Sequence, residues 1–239
     1  MQRTVQPAIT WAQLPTRRLY RCTKRAIDLS GAFILLLLLA PVIALCALAV
    51  RRSSPGPIFF RQERVGLRGQ TFAFLKFRSM YVAADTAPHR EYVAAFIRGE
   101  APVAVAEADA PGNGSRDKLR VPLYKLGNDR RITPVGAWLR RTSLDELPQL
   151  WNVLRGEMSL IGPRPPILYE LEHHRPEQYR RLGVRPGITD LWQVSGRSRT
   201  TFEEMVALDL AYITEQSLRL DLLILLCTIP TVLAFRDAR

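Results

Sequence analysis

Histidine is nearly missing from this sequence. The 239 residues include three, and His173 and His174 stand side by side in a polar stretch that reads as surface. Chemistry built on an imidazole base therefore has few candidates. Ser195, in "QVSGRSRT", has no histidine near it in sequence and no G-x-S-x-G around it, which removes a serine-hydrolase reading. GxxxxGKS/T is absent, and no GxGxxG follows a strand, so P-loop and dinucleotide sites have no support. Cysteine is equally sparse. Cys22, Cys46 and Cys227 are odd in number, far apart and match no metal spacing, which argues against a disulfide framework and fits a reducing compartment. Acidic residues are short too: 22 Asp and Glu face 34 Lys and Arg, for a net charge of +12. Such a balance favours polyanions, whether nucleic acid, anionic lipid headgroups or phosphorylated substrates. The aromatic interleaving that single-strand stacking needs is thin around Arg180, Arg181, Arg185, Arg197 and Arg199, and surface arginines of this kind are ordinarily just solvated.

What the sequence does have is a long apolar run. Residues 32–50, "AFILLLLLAPVIALCALAV", hold 19 positions without a charge, enough for a helix to span a bilayer. A cleaved signal peptide fits poorly, because about 30 residues precede the run. A lipoprotein reading of "VIALC" fails on the bulky Leu45 before the cysteine. Arg17, Arg18, Arg21, Lys24 and Arg25 flank the run on one side, Arg51 and Arg52 on the other. Positive flanks stay cytoplasmic, so a straight span would satisfy one flank only. Pro41, near the middle, removes a backbone donor and predicts a kink. A kinked helix that enters and leaves on one face satisfies both flanks, and the re-entrant form is the expectation. A second run, "LLILLCTIPTVLAF" at 222–235, has 14 residues, too few to span comfortably; core helix and interfacial helix both remain open for it.

The remaining chain reads as a mixture of helices and short strands. Pro55, Gly56 and Pro57 predict a turn, and "TFAFLKF" a strand or hairpin near Gly69. Residues 101–118, rich in Ala, Pro and Gly, read as a mobile loop. From Arg140 onward, Leu144, Leu147, Leu150, Trp151 and Leu154 follow helical spacing and should face a core, with Asp145, Glu146, Gln149 and Asn152 mostly off that stripe. Pro148 is comfortable only where the regular helix begins, and Gly156 suits its end. "TTFEEMVALDLAYI" predicts a second helix. Its Thr201 and Glu204 have capping-box spacing, and Phe202, Met205, Val206 and Ile213 face inward.

The pair Asp145-Glu146 raises two readings. Ser143 and Glu146 also have capping-box spacing, which would make the pair an ordinary helix start. Alternatively the pair works on phosphate. Arg140 and Arg141 lie one turn before it, and Arg164 follows in "GPRPP", stiffened by its prolines. Adjacent carboxylates repel unless one is protonated or a cation neutralises them, and a magnesium ion shared with a nucleotide diphosphate would do so.

Three stretches, "QERVGLRGQTFAFLKFRSM", "DRRITPVGAWLRRTSLDELPQLWNVLRGEMSLIGPRPP" and "RPGITDLWQVSGR", resemble the bacterial sugar transferases, monotopic polyprenyl-phosphate phosphoglycosyl transferases that begin exopolysaccharide and glycan assembly. The resemblance runs from about Lys24 to Leu225 and rests on long, specific motifs. It implies that a nucleotide-diphospho-sugar, such as UDP-glucose or UDP-galactose, passes its phosphosugar to undecaprenyl phosphate, releasing nucleoside monophosphate, with Mg2+ required. It implies Asp145 as the nucleophile that forms an aspartyl-phosphosugar intermediate, and Glu146 as its partner, both as metal ligands. Lys76, Arg78, Arg140 and Arg164 are then the phosphate or nucleotide contacts. It also implies a re-entrant helix within residues 1–52, anchored in one leaflet of the inner membrane, and a cytoplasmic catalytic domain over 53–239. Membrane lipid becomes a partner, nucleic acid does not, and a homo-oligomer is left open. The chain reads as the transferase core without the extra membrane helices of larger relatives. The expected fold class is α+β, mostly helical, with short strands. The sequence departs from the family twice: Ala40 precedes Pro41 where serine is common, and Asp190 stands where "PGITG" has glycine. A basic membrane-associated adaptor for anionic lipid or nucleic acid is the competing reading. It explains the charge and the apolar run but neither Asp145-Glu146 nor "GPRPP".

Overall fold

The computed structural model describes residues 18–82, 87–100, 103–109, 116–122, 129, 131–195 and 200–233. The expectations for Arg17, Arg197 and Arg199 lie outside the described residues.

The apolar run is carried by two helices, α1 (Arg18–Leu38) and α2 (Ala40–Ser53), bent by 64°. Among the described residues no single helix is long and apolar enough to cross a membrane. The kink falls at Leu39, whose φ of −92° and ψ of 2° leave the helical region, so Pro41 sits in the first turn of α2, where its missing N–H has no helical partner to lose. Leu39 N–H still donates to Leu35 O at 2.9 Å and Ile43 N–H to Leu39 O at 2.8 Å, so the break orphans little backbone in place of the family's serine. Ala32 on α1 packs with Phe72, Phe74, Leu150, Val153 and Met158, and Cys46 and Val50 on α2 with Phe77 and Leu139. Phe33, Leu37, Leu38 and Leu45 remain exposed.

Between these two packing sites lies an antiparallel hairpin, β1 (Phe59–Val65) and β2 (Thr71–Phe77), in register from Phe59 opposite Phe77 to Val65 opposite Thr71. Its connection, a 3-10 turn over Leu67–Gly69, puts Arg68 at φ 55° and Gly69 at φ 77°, as the turn near Gly69 requires. Two strands leave two open edges. The outer edge of β2 is closed by Asn152, whose Oδ1 accepts from Leu75 N–H at 3.1 Å and whose Nδ2 donates to Ala73 O at 2.8 Å. The side-chain amide thus stands in for a third strand.

The stretch read as a loop at 101–118 is different. After α3 (Ala87–Ile97), β3 (Val103–Asp109) and β4 (Arg116–Pro122) pair antiparallel. Such a hairpin is held by its own backbone bonds and needs few large apolar residues. Its register runs from Val103 opposite Pro122 to Asp109 opposite Arg116. The connecting residues 110–115 lie outside the described residues.

α4 (Pro134–Thr142) and α5 (Gln149–Arg155) follow, then β5 (Ser159–Ile161), α6 (Leu168–Leu171), β6 (Gly187–Thr189), α7 (Leu191–Ser195), α8 (Phe202–Glu215) and α9 (Leu218–Leu233). β5 and β6 run parallel at an approach so close that a side chain on Gly187 would stand 2.1 Å from the Gly162 nitrogen. α8 starts on the expected capping box, Thr201 Oγ1 accepting from Glu204 N–H at 3.2 Å and Glu204 from Thr201 N–H at 2.7 Å. Its Phe202, Met205 and Val206 pack on Tyr92, Val93 and Phe96 of α3, and Ile213 is buried as expected. α9 resolves the second apolar run into two sides. Ile224 is buried with Ile161, Tyr212 and Ile213, while Leu222, Leu223, Leu226 and Ile229 are exposed.

Candidate active site

Thr133 opens α4 by accepting from Gly136 N–H at 2.9 Å, with Pro134 in the first turn. Gly136 then lets the helix touch the chain beyond β2 with bare backbone: a Cβ there would lie 2.0 Å from Ser79 O. One turn on, that contact puts Arg140 beside the same residue, its Nε donating to Ser79 Oγ at 2.8 Å.

α4 stops at Ser143, in left-handed conformation (φ 58°, ψ 12°) with its N–H on Arg140 O. Ser143 makes no side-chain cap, so the capping-box account of Asp145-Glu146 is set aside. The reversal at Ser143 throws the chain into a 3-10 turn, Leu144–Glu146, and brings both carboxylates to the end of β2. Lys76, the penultimate residue of that strand, reaches them: its Nζ lies 2.6 Å from Glu146 Oε1 and 3.7 Å from Asp145 Oδ2. The Asp145 side chain is 9% exposed and that of Glu146 26%, so the inner carboxylate is the more enclosed. Charge repulsion in the pair is met by the ammonium. Burial pulls the Arg140 guanidinium below its ordinary range, while Asp145 and Asp129 hold it up.

Arg164 sits in a backbone held from three directions. Arg64 Nη1 donates to Pro165 O at 2.6 Å, Val65 N–H to Pro166 O at 2.9 Å, and Gly187 N–H to Pro163 O at 3.0 Å. His89, exposed at the start of α3 but crowded by its neighbours, feels that crowding first and then Arg64, Arg164, Arg131 and Arg140, which together push its imidazole down to about 4. All four arginines therefore bear on His89. Arg131 is itself ion-paired to Asp129 at 2.6 Å.

Arg78 goes elsewhere. Its guanidinium is buried and donates to Ser54 O at 2.6 Å and Pro55 O at 2.8 Å. Those carbonyls are left without helical partners where α2 ends, and they draw Arg78 away from the carboxylates. Near the carboxylates the chain after β2 instead presents Ser79, which holds Arg140. Asp190 is also not where a ligand reaches: it is 2% exposed, and its Oδ1 accepts from Gln193 N–H at 2.6 Å. Burial, with Asp209 nearby, pushes its carboxyl up to about 7. Among the described residues only Arg68 and Ser143 are non-glycine residues with positive φ, so the backbone at 190 does not require glycine.

Two expectations about α5 change. Its N-cap is Pro148 and its end is Gly156 at φ 83°, as read from the sequence. Trp151, assigned to the core, is 52% exposed, while Gln149 and Asn152, assigned off it, are 2% and 1% exposed. Leu144 lies in the 3-10 turn before α5 and Leu147 caps its end, where the period differs, so a single 3.6-residue stripe drawn through both elements loses its phase. Ser79, Asp129 and His89 escaped the sequence reading; only the "FRSM" and "DRR" contexts carried a trace of the first two.

As donors, Asp145 and Glu146 offer the carboxylate oxygens that Mg2+ takes when substrate phosphates and water supply the rest of its shell. Among the described residues no group of three or more His, Cys, Asp or Glu forms a fuller cage.

Residues 19–235 match the bacterial sugar transferase family. The chain is 41% identical to the galactosyl transferase CpsE of Streptococcus agalactiae across 90% of its own length and 43% of that protein's. It is 44% identical to a UDP-galactose-lipid carrier transferase of Erwinia amylovora, across 89% of the chain and 41% of the relative. With the exopolysaccharide production protein ExoY of Rhizobium meliloti it shares 41% identity over 90% of the chain and 87% of the relative. The chain thus spans about two fifths of the first two relatives and most of the third.

Proposed function

The chain belongs to the bacterial sugar transferases, and on that premise we propose that it moves a sugar 1-phosphate from a nucleotide-diphospho-sugar, UDP-glucose or UDP-galactose, to undecaprenyl phosphate, the first step of exopolysaccharide or glycan assembly. The observation that carries this reading is the enclosed Asp145 beside Glu146, with Lys76 between them at 3.7 and 2.6 Å.

An Asp145 oxygen attacks the phosphorus that bears the sugar. The bond to the bridging diphosphate oxygen breaks, nucleoside monophosphate leaves with that electron pair, and an acyl phosphate holds the phosphosugar. A phosphate oxygen of the lipid then attacks the same phosphorus and releases the Asp145 carboxylate. The lipid phosphate is already anionic, so no histidine base is needed, in keeping with their scarcity. Lys76, Arg140 and Arg164 neutralise charge on the phosphoryl oxygens. Mg2+, when held by Asp145 and Glu146, supplies further charge neutralisation at the diphosphate. The bent α1–α2 pair dips into the inner membrane as a re-entrant element, and the catalytic residues face the cytoplasm.

Purified protein incubated with a panel of nucleotide sugars, undecaprenyl phosphate and magnesium should release nucleoside monophosphate with at least one donor. Silence across the panel returns the adaptor reading. For topology, the three native cysteines are replaced, and Thr10→Cys and Ser115→Cys are then introduced singly. Both should be shielded from a membrane-impermeant reagent in intact cells with permeable outer membranes. Labelling at position 10 alone would mean that α1–α2 spans. Arg164→Lys keeps the charge but loses the planar fork, and kcat/KM should fall about tenfold or more, roughly 1.4 kcal/mol. Undiminished activity would show that charge alone suffices there.

A further inference from the structure

At the far end of the β1–β2 hairpin from Lys76, roughly 25 Å along the strands, lies a cavity of about 410 Å³. It is walled by the first turns of α1, the Leu67–Gly69 turn and residues 183–185. Arg21, Lys24, Arg25, Arg68 and Arg185 line it against one carboxylate, Asp28. Asp28 is already engaged, accepting from Leu160 N–H at 3.0 Å. Lys24 is ion-paired to Asp221 at 3.0 Å. Arg25 donates to Val153 O at 2.9 Å, and Arg185 to Gly156 O at 3.0 Å. Both guanidinia thus rest on neutral carbonyls at the end of α5, and of the carboxylates lining the cavity only Asp28 offsets the five basic side chains. The side chains of Arg21 and Arg68 are exposed and make no hydrogen bond or ion pair with other described residues.

Arg68 adds a second observation. It is held at φ 55° and ψ 31°, a conformation that costs an L-residue about 1–2 kcal/mol and that glycine adopts freely. A side chain kept in such a turn beside an electropositive cavity points to use. The place is also specific. Arg25 precedes Ala32, where the apolar run begins, by seven residues, about 10 Å of helix, so the cavity opens where the proposed membrane segment meets the headgroup layer.

We infer that this cavity binds the phosphate of an anionic phospholipid headgroup, separately from the phosphates handled at Asp145. The inference rests on the membrane placement of α1–α2 proposed above. Arg21 and Arg68 grip the phosphate, Arg25 and Arg185 set the positive field behind it, and Leu67 and Val184 meet the glycerol end. A lipid held there clamps α1, the hairpin turn and the chain before β6 to one bilayer surface.

Flotation of the full chain with pure phosphatidylcholine vesicles tests the membrane placement by itself; failure to float removes that premise without touching the cavity. Native mass spectrometry of detergent-purified full chain titrated with dioleoylphosphatidylglycerol then tests the cavity. Wild type should retain one tightly bound lipid, and Arg21→Gln/Arg68→Gln should bind it about tenfold or more weakly with an unchanged melting temperature. Arg98→Gln/Arg180→Gln removes the same charge elsewhere and should bind as wild type. Equal loss in both variants means that the lipid answers to net charge, and the inference fails. It fails as well if inorganic phosphate at micromolar concentration displaces the lipid, because the site would then belong to a free phosphate.

Discussion

Asp145→Asn should lower turnover by roughly three orders of magnitude or more while the protein stays folded. The amide has nearly the carboxylate's volume and enters an enclosed site already shaped for it, at 7% exposure. Lys76 keeps its shorter contact, 2.6 Å to Glu146, so no ammonium is stranded. What disappears is the anionic oxygen that the proposed mechanism uses as its nucleophile. Glu146→Gln should also cost activity but retain covalent capture. Donor labelled in the sugar phosphate, supplied without acceptor, should mark wild type and the Glu146 variant at Asp145 and leave Asp145→Asn unmarked. Label mapped to another residue, or kinetics that require donor and acceptor bound together, would transfer the attack to the lipid phosphate itself.

The second large effect is on stability. Asn152→Ala should cost about 3 kcal/mol or more, because it strips partners from two backbone groups at once. Leu75 N–H loses Oδ1 at 3.1 Å, Ala73 O loses Nδ2 at 2.8 Å, and Glu157 loses its 2.6 Å contact to the same amide nitrogen. Asn152 is 1% exposed, and water does not readily replace a donor and acceptor that deep. For a chain of this size the melting temperature should drop roughly 6–12 °C. Asn152→Asp should do no better, since a carboxylate cannot donate to Ala73 O and lies against Glu157. Trp151→Ala, at the exposed neighbouring position, is the contrast and should cost less than about 1 kcal/mol. A melting curve for Asn152→Ala within that margin would mean that the edge of β2 does not depend on the amide. Activity should fall along with stability, because Lys76 follows Leu75 directly on the same strand.

Comparing sequence and structure, local features were legible. The Thr201-Glu204 box, Gly156 at a helix end, Pro148 at a helix start and the turn at Gly69 all depend on residues within a few positions of one another. The identities of Lys76, Asp145, Glu146, Arg140 and Arg164 were carried by motif. Their arrangement was not: Lys76 and Glu146 are 70 positions apart, and nothing in the pattern shows that the ammonium lies between the carboxylates. Arg78 was misplaced because "KFRSM" does not reveal the unpaired carbonyls of Ser54 and Pro55. Asn152 was set on the solvent side because its true partners, Ala73 and Leu75, belong to a strand edge that exists only after folding. Residues 101–118 lacked the bulk expected of a structured segment, yet a hairpin can be built from backbone pairing, as β3 and β4 are.

The first helix is held by parts of the chain made long after it. Ala32 packs against Leu150, Val153 and Met158, and Tyr20 and Lys24 on α1 bond to Asp221. At ribosomal rates of about 5–20 residues per second, Asp221 emerges roughly 10–40 s after Leu38. Throughout that interval Ala32, Tyr20 and Lys24 lack these later partners, and the exposed leucines of α1 and α2 need an apolar surrounding. On the membrane placement proposed above for α1–α2, insertion comes before folding in time, and the rest of the chain assembles onto helices already fixed at the membrane. A slow codon run after residue 53 should be tolerated, whereas delayed delivery of the nascent chain to the membrane should end in aggregation.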